Sequence, residues 1–301
     1  MGPLLTLKVH DALQNTARTG IGTLECSLDL DRSTTSVEVG TDHWRWQGAS
    51  YPFLQACKDR TIYYWAGQEF APVARYTNSL IKLVPTQWGA PTFEIDGIKM
   101  LPTAKVSPHE DAQRKVGLIR PRGKVILDTC GGLGYFAAWC LQGQAASVLS
   151  YEKNPDVIWL RSLNPWSPPA DAELESHASG AGAALNTGSA PLAAPPPLGR
   201  GLTLVRGDVA VEIGALPDRS FDAVLHDPPR FGIAGELYSQ VFYDHLARVL
   251  KPRGVLFHYT GTPNKLTSGR DVPKEVAARL RHAGFSTEME GDGVLAVRRS
   301  S

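Results

Sequence analysis

The chain has 301 residues, of which 43% are hydrophobic and 20% charged, with 31 Lys and Arg against 30 Asp and Glu. That is enough apolar material for one large domain and a smaller appendage, while no apolar run approaches the ~20 residues that a membrane span requires. A formal net charge of +1 excludes a chain that grips nucleic acid through overall basicity, so an RNA contact has to come from a local patch. The N-terminus, MGPLLTLKVHDALQ, is soon interrupted by charge and makes a poor secretory signal. Cys26, Cys57, Cys130 and Cys140 form no CxxC pair, so they support neither a zinc ribbon nor a disulfide framework. A cytoplasmic or other reducing compartment is expected, with no membrane partner and no metal site.

Residues 1–102 read as a small antiparallel β-rich module. Segments such as TLECSLDL, TSVEVG, HWRWQG, TIYYWAG, LIKLVP and TFEIDGIKML are short, β-branched or aromatic, and separated by turn residues. In HWRW the two-residue period puts Trp44 and Trp46 on one face. With Tyr63, Tyr64, Trp65 and Trp88 they form either a compact sheet core or a stripe that stacks on bases beside Arg45, Arg75 and Lys82; the core is the expectation. This module is the candidate for substrate selection.

From residue 103 the pattern changes to strands alternating with helices. Ser107-Pro108 followed by two acids starts a helix, with Arg114 and Lys115 in its C-terminal half and Arg120, Arg122 and Lys124 beyond it. VILDTCGGLGYFAAWC is an apolar strand that ends in Asp128, turns through Gly131, Gly132 and Gly134, and enters a helix. SVLSYEK is a second strand ending in Glu152. Residues 167–200, rich in Ala, Pro, Gly and Ser, are expected to be a disordered insertion. LTLVRGD is a third strand ending in Asp208, and FDAVLHDPPRF a fourth ending in Asp227. GELYSQVFYDHLARVLKPRG reads as a helix stopped by Pro and Gly, GVLFHYTG as a fifth strand, DVPKEVAARLRHAG as the last long helix, and STEMEG with GVLAVRR as a terminal hairpin.

Four consecutive strands thus present a carboxylate at one edge of a doubly wound α/β sheet. Glycines in the first turn let a ligand approach the backbone, as nucleotide-type cofactors require. An acid after the second strand suits the two ribose hydroxyls of an adenosine, and one after the third can accept from the adenine amine. A dinucleotide fingerprint would need GxGxxG, and the third glycine is absent at that offset. Asp227-Pro228-Pro229 adds an acceptor pair: an exocyclic amine is a poor nucleophile until its N–H groups are held, and a carboxylate plus a carbonyl before proline can hold them in a stiff loop. His226 at the same strand end is expected to be structural, because a strand-end imidazole commonly satisfies neighbouring backbone groups.

Residues 103 to 300 are similar to class I S-adenosylmethionine-dependent methyltransferases. DTCGGLGY, YEKNP, LNPWS, HDPPRF, GELYS and FHYTG together also resemble a group of predicted methyltransferases typical of archaea and cyanobacteria, sometimes labelled spermidine synthase-like. The resemblance implies a seven-stranded Rossmann-like domain over 103–301 whose seventh strand is antiparallel, with S-adenosylmethionine as cofactor. It implies that Asp128, Cys130, Gly132 and Gly134 flank the methionine moiety, that Glu152 holds the ribose, and that Asp208 and Val209 frame the adenine. Cys130 stands where a glycine is usual. Asp227, Pro228 and Pro229 resemble the (Asp/Asn/Ser)-Pro-Pro-aromatic motif of amino-nitrogen methyltransferases, but Arg230 takes the aromatic's place and Phe231 follows. The expected activity is methyl transfer to an amino nitrogen, with an RNA base as acceptor. The alternatives are a small-molecule amine methyl- or aminopropyltransferase, although such aminopropyl enzymes usually carry GGGDG where this chain has GGLGY, or a noncatalytic adenosine- or RNA-binding scaffold.

Overall fold

The computed structural model describes residues 2–20, 22–175, 200–261 and 271–300. The chain divides into two compact units, Met1–Asp111 with Trp159–Ser167, and Ala112–Ile158 with Pro168–Ser301.

The first unit holds β1 (Leu4–Leu5), α1 (Leu7–Thr19), β2 (Gly22–Cys26), β3 (Thr35–Val39), β4 (His43–Trp46), β5 (Ala49–Pro52), β6 (Tyr63–Trp65), β7 (Phe70–Pro72), β8 (Ala74–Tyr76), β9 (Leu80–Val84), β10 (Thr92–Ile95) and β11 (Ile98–Lys99). The strands form antiparallel sheets β2-β3-β4-β5, β1-β6-β7 and β8-β9-β10-β11. Two hairpins turn through Gln47-Gly48 and Asp96-Gly97, whose four φ angles of 49°, 77°, 49° and 79° are the left-handed values that tight two-residue turns need. The helix α1 interrupts the expected all-strand pattern. Its Val9 and Leu13 recur at helical spacing and pack on Leu28, Val37, Val39 and Trp44.

Trp44, Trp46, Tyr63 and Trp65 of the aromatic stripe are core, while Tyr64 packs on Trp159 and Trp88 is exposed. Trp44 has no exposed surface and stacks on Tyr51 at 4.6 Å between centroids. Trp46 packs against the same cluster and donates its indole N–H to Thr35 Oγ1 at 3.0 Å. Of the basic residues near it in sequence, Lys82 pairs with Glu94 at 3.4 Å and Arg75 lies over the Trp159 ring at 3.8 Å.

The chain continues through α2 (Pro108–Ile119), β12 (Val125–Asp128), α3 (Tyr135–Gln142), β13 (Ser147–Glu152), α4 (Pro155–Leu163), β14 (Ala172–Glu175), β15 (Gly201–Arg206), α5 (Val209–Glu212), β16 (Phe221–His226), α6 (Gln240–Val249), β17 (Leu250–Tyr259), α7 (Val272–His282), β18 (Phe285–Glu290) and β19 (Gly293–Arg298), all in the second unit except α2 up to Asp111 and α4 from Trp159. The sheet runs β14-β15-β13-β12-β16-β17-β19-β18, parallel up to β17, with β19 antiparallel to both its neighbours. Central strands β12, β13 and β16 are buried along nearly their whole length because helices cover both faces of a parallel sheet. Ser239 and Asp271 cap α6 and α7 by accepting from Phe242 N–H and Lys274 N–H.

Two expectations need correcting. The sheet has eight strands because β14 forms inside the segment read as disordered. It pairs with β15, Asp171 Oδ2 accepts from Leu202 N–H at 2.7 Å, Glu175 meets Arg206 at 2.9 Å, and Leu174 packs on the core. The rest of the expected insertion, 176–199, lies outside the described residues. Second, the Pro-Gly pair that was to stop α6 sits within β17. The helix ends at Val249, and Pro252 and Gly254 occupy a register break opposite Phe221–Ala223, where a missing ladder donor is tolerated. Among the described residues no helix is long and apolar enough to cross a membrane.

Trp44→Ala removes a fully buried, stacked ring from the first unit. It is expected to cost about 3 to 5 kcal/mol of unfolding free energy, read by urea denaturation of the whole chain. A loss under about 1 kcal/mol would mean that the stripe is not core.

Candidate cofactor and acceptor site

The sheet order reverses between β12 and β16, since the chain runs outward from β12 through β13 and β15 on one side and from β16 through β17 on the other. A crevice opens at the carboxyl ends of the strands at such a reversal. Asp128 and Glu152 close β12 and β13, Val209 opens α5, and the other site residues expected after residue 102 lie in the turns that follow β12, β15 and β16.

The glycine turn is built by bonds to neighbouring strands. Thr129 N–H donates to the Leu225 carbonyl at 3.1 Å and Gly131 N–H to the Tyr151 carbonyl at 2.6 Å. Gly132 and Gly134 have φ of 50° and 80°, which glycine adopts without a Cβ clash, and Gly134 opens α3. Asp128 is fully buried, and its Oδ2 accepts from Ser150 Oγ at 2.9 Å. Cys130 is half-buried beside the turn. Burial, reinforced by the charge of Glu152, pushes its thiol well above the ordinary range, so it stays a small neutral side chain.

Glu152 is aimed by the backbone. Its Oε2 accepts from Gly132 N–H at 3.0 Å and its Oε1 from Asn154 N–H at 2.8 Å. Both carboxylate oxygens are thus held in place by backbone donors, and such an oxygen can accept more than one hydrogen bond. Asp208 caps α5 by accepting from Ala210 N–H at 2.9 Å, and Val209 is buried next to it. Lys153, which the sequence did not single out, spans the rim: its Nζ lies 3.6 Å from Asp208 Oδ2 and 3.7 Å from Glu236 Oε1.

The acceptor loop follows β16. The Asp227 side chain is 21% exposed, and its Oδ2 lies 3.4 Å from the Nζ of Lys115, whose own side chain is 2% exposed. Tyr238 donates its hydroxyl to the Pro229 carbonyl at 3.1 Å and stands edge-on to Phe231 with centroids 5.4 Å apart. Phe231 is therefore a half-buried wall, while Arg230 is exposed and its carbonyl accepts from Ile233 and Ala234 N–H to start the next turn. Neither Lys115 nor Tyr238 was read as a site residue. Lys115 was legible as a cation on the apolar stripe of Ala112, Val116 and Ile119.

Beneath the crevice His226 and His258 stand edge-on at 4.4 Å, both fully buried. His226 Nε2 donates to the Leu237 carbonyl at 3.1 Å, which leaves Nδ1 to accept from Thr129 Oγ1 at 2.6 Å. His258 Nδ1 donates to the Tyr259 carbonyl at 2.8 Å, and Nε2 accepts from the Tyr243 hydroxyl at 3.0 Å. Each ring is fixed in one neutral tautomer with both nitrogens used. Burial lowers both imidazoles, His258 to about 4. They are structural groups and not bases for the crevice.

No family model matches the chain. The uncharacterized protein MJ1233 of Methanocaldococcus jannaschii is 39% identical over 241 residues, spanning 79% of this chain and 73% of that protein. A spermidine synthase solved with the transition-state analogue AdoDATO aligns with a TM-score of 0.51 at 17% identity, over 75% of this chain and 72% of that one. The spermidine synthase of Thermotoga maritima gives 0.49 at 16% identity, over 75% and 71%. The chain belongs to the family of MJ1233, and the fold it shares with the spermidine synthase is a doubly wound, Rossmann-like α/β sheet.

The buried imidazoles make stability depend on pH. Their folded values lie below the unfolded 6.5, so the unfolded chain binds protons first as pH falls. Stability should be full above about pH 6.5 and decline towards pH 4, with His258 alone contributing on the order of 3 kcal/mol. Urea midpoints between pH 7.5 and 4.5 check this, and His258→Asn should flatten the slope.

Proposed function

We propose that the protein is an S-adenosylmethionine-dependent methyltransferase that modifies an amino nitrogen of an RNA base. The observation that carries the reading is the pairing, at one sheet reversal, of an adenosine-type acid set with an Asp-Pro-Pro loop. S-adenosylmethionine, when bound, supplies an electrophilic methyl on a sulfonium.

Glu152 accepts from the ribose hydroxyls, and Asp208 with Val209 frames the adenine. Asp128 acts through Ser150 to hold the turn, while Cys130, Gly132 and Gly134 leave room for the methionine moiety. Asp227 and the Pro228 carbonyl accept the N–H groups of the target amine, which frees its lone pair for in-line attack. Phe231, set by Tyr238, walls the base, and exposed Arg230 is available to a phosphate. Alignment of the two reactants can supply roughly 7 to 11 kcal/mol of the barrier. The amine loses its proton after transfer, which is why neutral, fully bonded His226 is no obstacle. Residues 1–102 select the substrate and 103–301 carry the chemistry, in a reducing compartment that suits the four free cysteines. The likeness to a spermidine synthase brings forward aminopropyl transfer as a rival, but the turn reads GGLGY and Asp227 is paired with a cation.

Two variants test this. Glu152→Ala should weaken S-adenosylmethionine binding about 10- to 100-fold in titration calorimetry. Asp227→Ala should leave that affinity nearly unchanged and slow methylation of RNA from a strain lacking the gene about 10²- to 10³-fold, followed with labelled cofactor. An Asp227→Ala enzyme as fast as wild type removes the chief support for amine methylation.

A further inference from the structure

Lys115 lies on the buried stripe of α2 with Ala112, Val116 and Ile119 and is itself 1% exposed. An ammonium there is costly unless paired. Its place is explained by Asp227 Oδ2 at 3.4 Å and by the face of Tyr259, whose centroid is 3.7 Å from Nζ. The preceding Arg114 pairs with Asp292 at 2.6 Å.

We infer that Lys115 is a positioning residue that sets the charge class of the acceptor, holding Asp227 ionised yet neutralised so that the crevice takes an uncharged planar amine and turns away a cationic one. This rests on the methyl-transfer reading above. A carboxylate alone in a crevice attracts an ammonium and keeps it protonated, hence without a lone pair. With Lys115 behind it the pair has no net charge, so a cationic amine gains nothing from Asp227 and meets the repulsion of Lys115. A neutral N–H donor still finds lone pairs on the ionised carboxylate. Among the described residues, the charge of Asp227 acts on Cys130 in the glycine turn and Tyr238 on the turn Gly235–Tyr238, while Tyr259 at the end of β17 lies against Lys115 and His226 precedes Asp227 in the chain. Burial, with the charge of Asp227 adding to it, keeps Cys130 and Tyr238 protonated, and His226 is neutral. Among these groups Lys115 carries the compensating charge.

The test compares wild type, Lys115→Met, Lys115→Arg and the double variant Lys115→Met with Asp227→Asn. With RNA from the deletion strain, Lys115→Met should bind S-adenosylmethionine within about threefold of wild type and turn over about 10²-fold more slowly at pH 7. Without its cation the half-buried carboxylate titrates higher, so the acid limb of the rate profile should move up by about 1 to 3 pH units, and Lys115→Arg should restore it. Spermidine should not be a substrate of wild type with S-adenosylmethionine or its decarboxylated form. An unmoved acid limb in Lys115→Met, or spermidine turnover by wild type, overturns the inference. If wild type methylates no acceptor, the methyltransferase reading falls, and the pairing is decided by thermal unfolding. Lys115→Met should then melt on the order of 10 °C lower and the double variant should recover part of the loss, whereas additive losses overturn the pairing.

Discussion

The crevice depends on one constraint: the turn after β12 is bonded to the strands beside it and hardly to itself. Gly131 and Gly132 donate to Tyr151 and Glu152 on β13, and Thr129 donates to Leu225 on β16. Ser150 on β13 donates back to Asp128. Three strand ends therefore move as one frame, and the acids on them keep fixed separations. Electrostatic help from such a frame needs no reorganisation when charge shifts during a reaction. The same bonds explain why a cysteine is tolerated at position 130: the positive φ angles fall at Gly132 and Gly134, and position 130 is not among the left-handed residues.

Most of this edge was legible in the chain because parallel strands buried on both faces leave long apolar runs that end abruptly in an acid. Asp128, Glu152, Asp208 and Asp227 each stand at such an ending. What was not legible has particular causes. The α1 segment carries only Val9 and Leu13 as buried markers, too few for a period to show among neighbouring strand patterns. The β14 residues sit in a segment of linker-like composition, and their order comes from β15, which lies far along the chain and whose Leu202 N–H donates to the neighbouring Asp171. Pro252 signals a stop, yet a break in register makes room for it inside β17. Lys115 stands out on the apolar stripe of α2, but its partner does not, being more than a hundred residues away.

Polar groups below the crevice follow a different logic from those at its rim. His226, His258, Tyr243 and Thr129 satisfy one another and nearby carbonyls, so the floor is polar in composition and apolar in behaviour. Burial raises Tyr243, Tyr238 and Tyr151 well above the usual phenol range, which keeps their hydroxyls as donors. The floor thus adds no titrating charge near neutral pH. Charge at the rim comes from residues such as Glu152, Lys153, Asp208, Glu236 and Asp227 with its lysine.

The outermost strands of the large sheet also bear on how copies of the chain behave together. An uncovered edge is a template for strand addition by another molecule. β14 presents exposed Glu173 and Glu175 at one end of the sheet, and β18 carries Glu288 and Glu290 at the other. Two sheets approaching edge to edge would bring glutamates against glutamates, whichever ends met. Like charges opposed across a ladder destabilise it. The short strand donated by a segment of linker-like composition thus gives the sheet an acidic border on a side that would otherwise end at β15, whose Leu202, Leu204 and Val205 are buried.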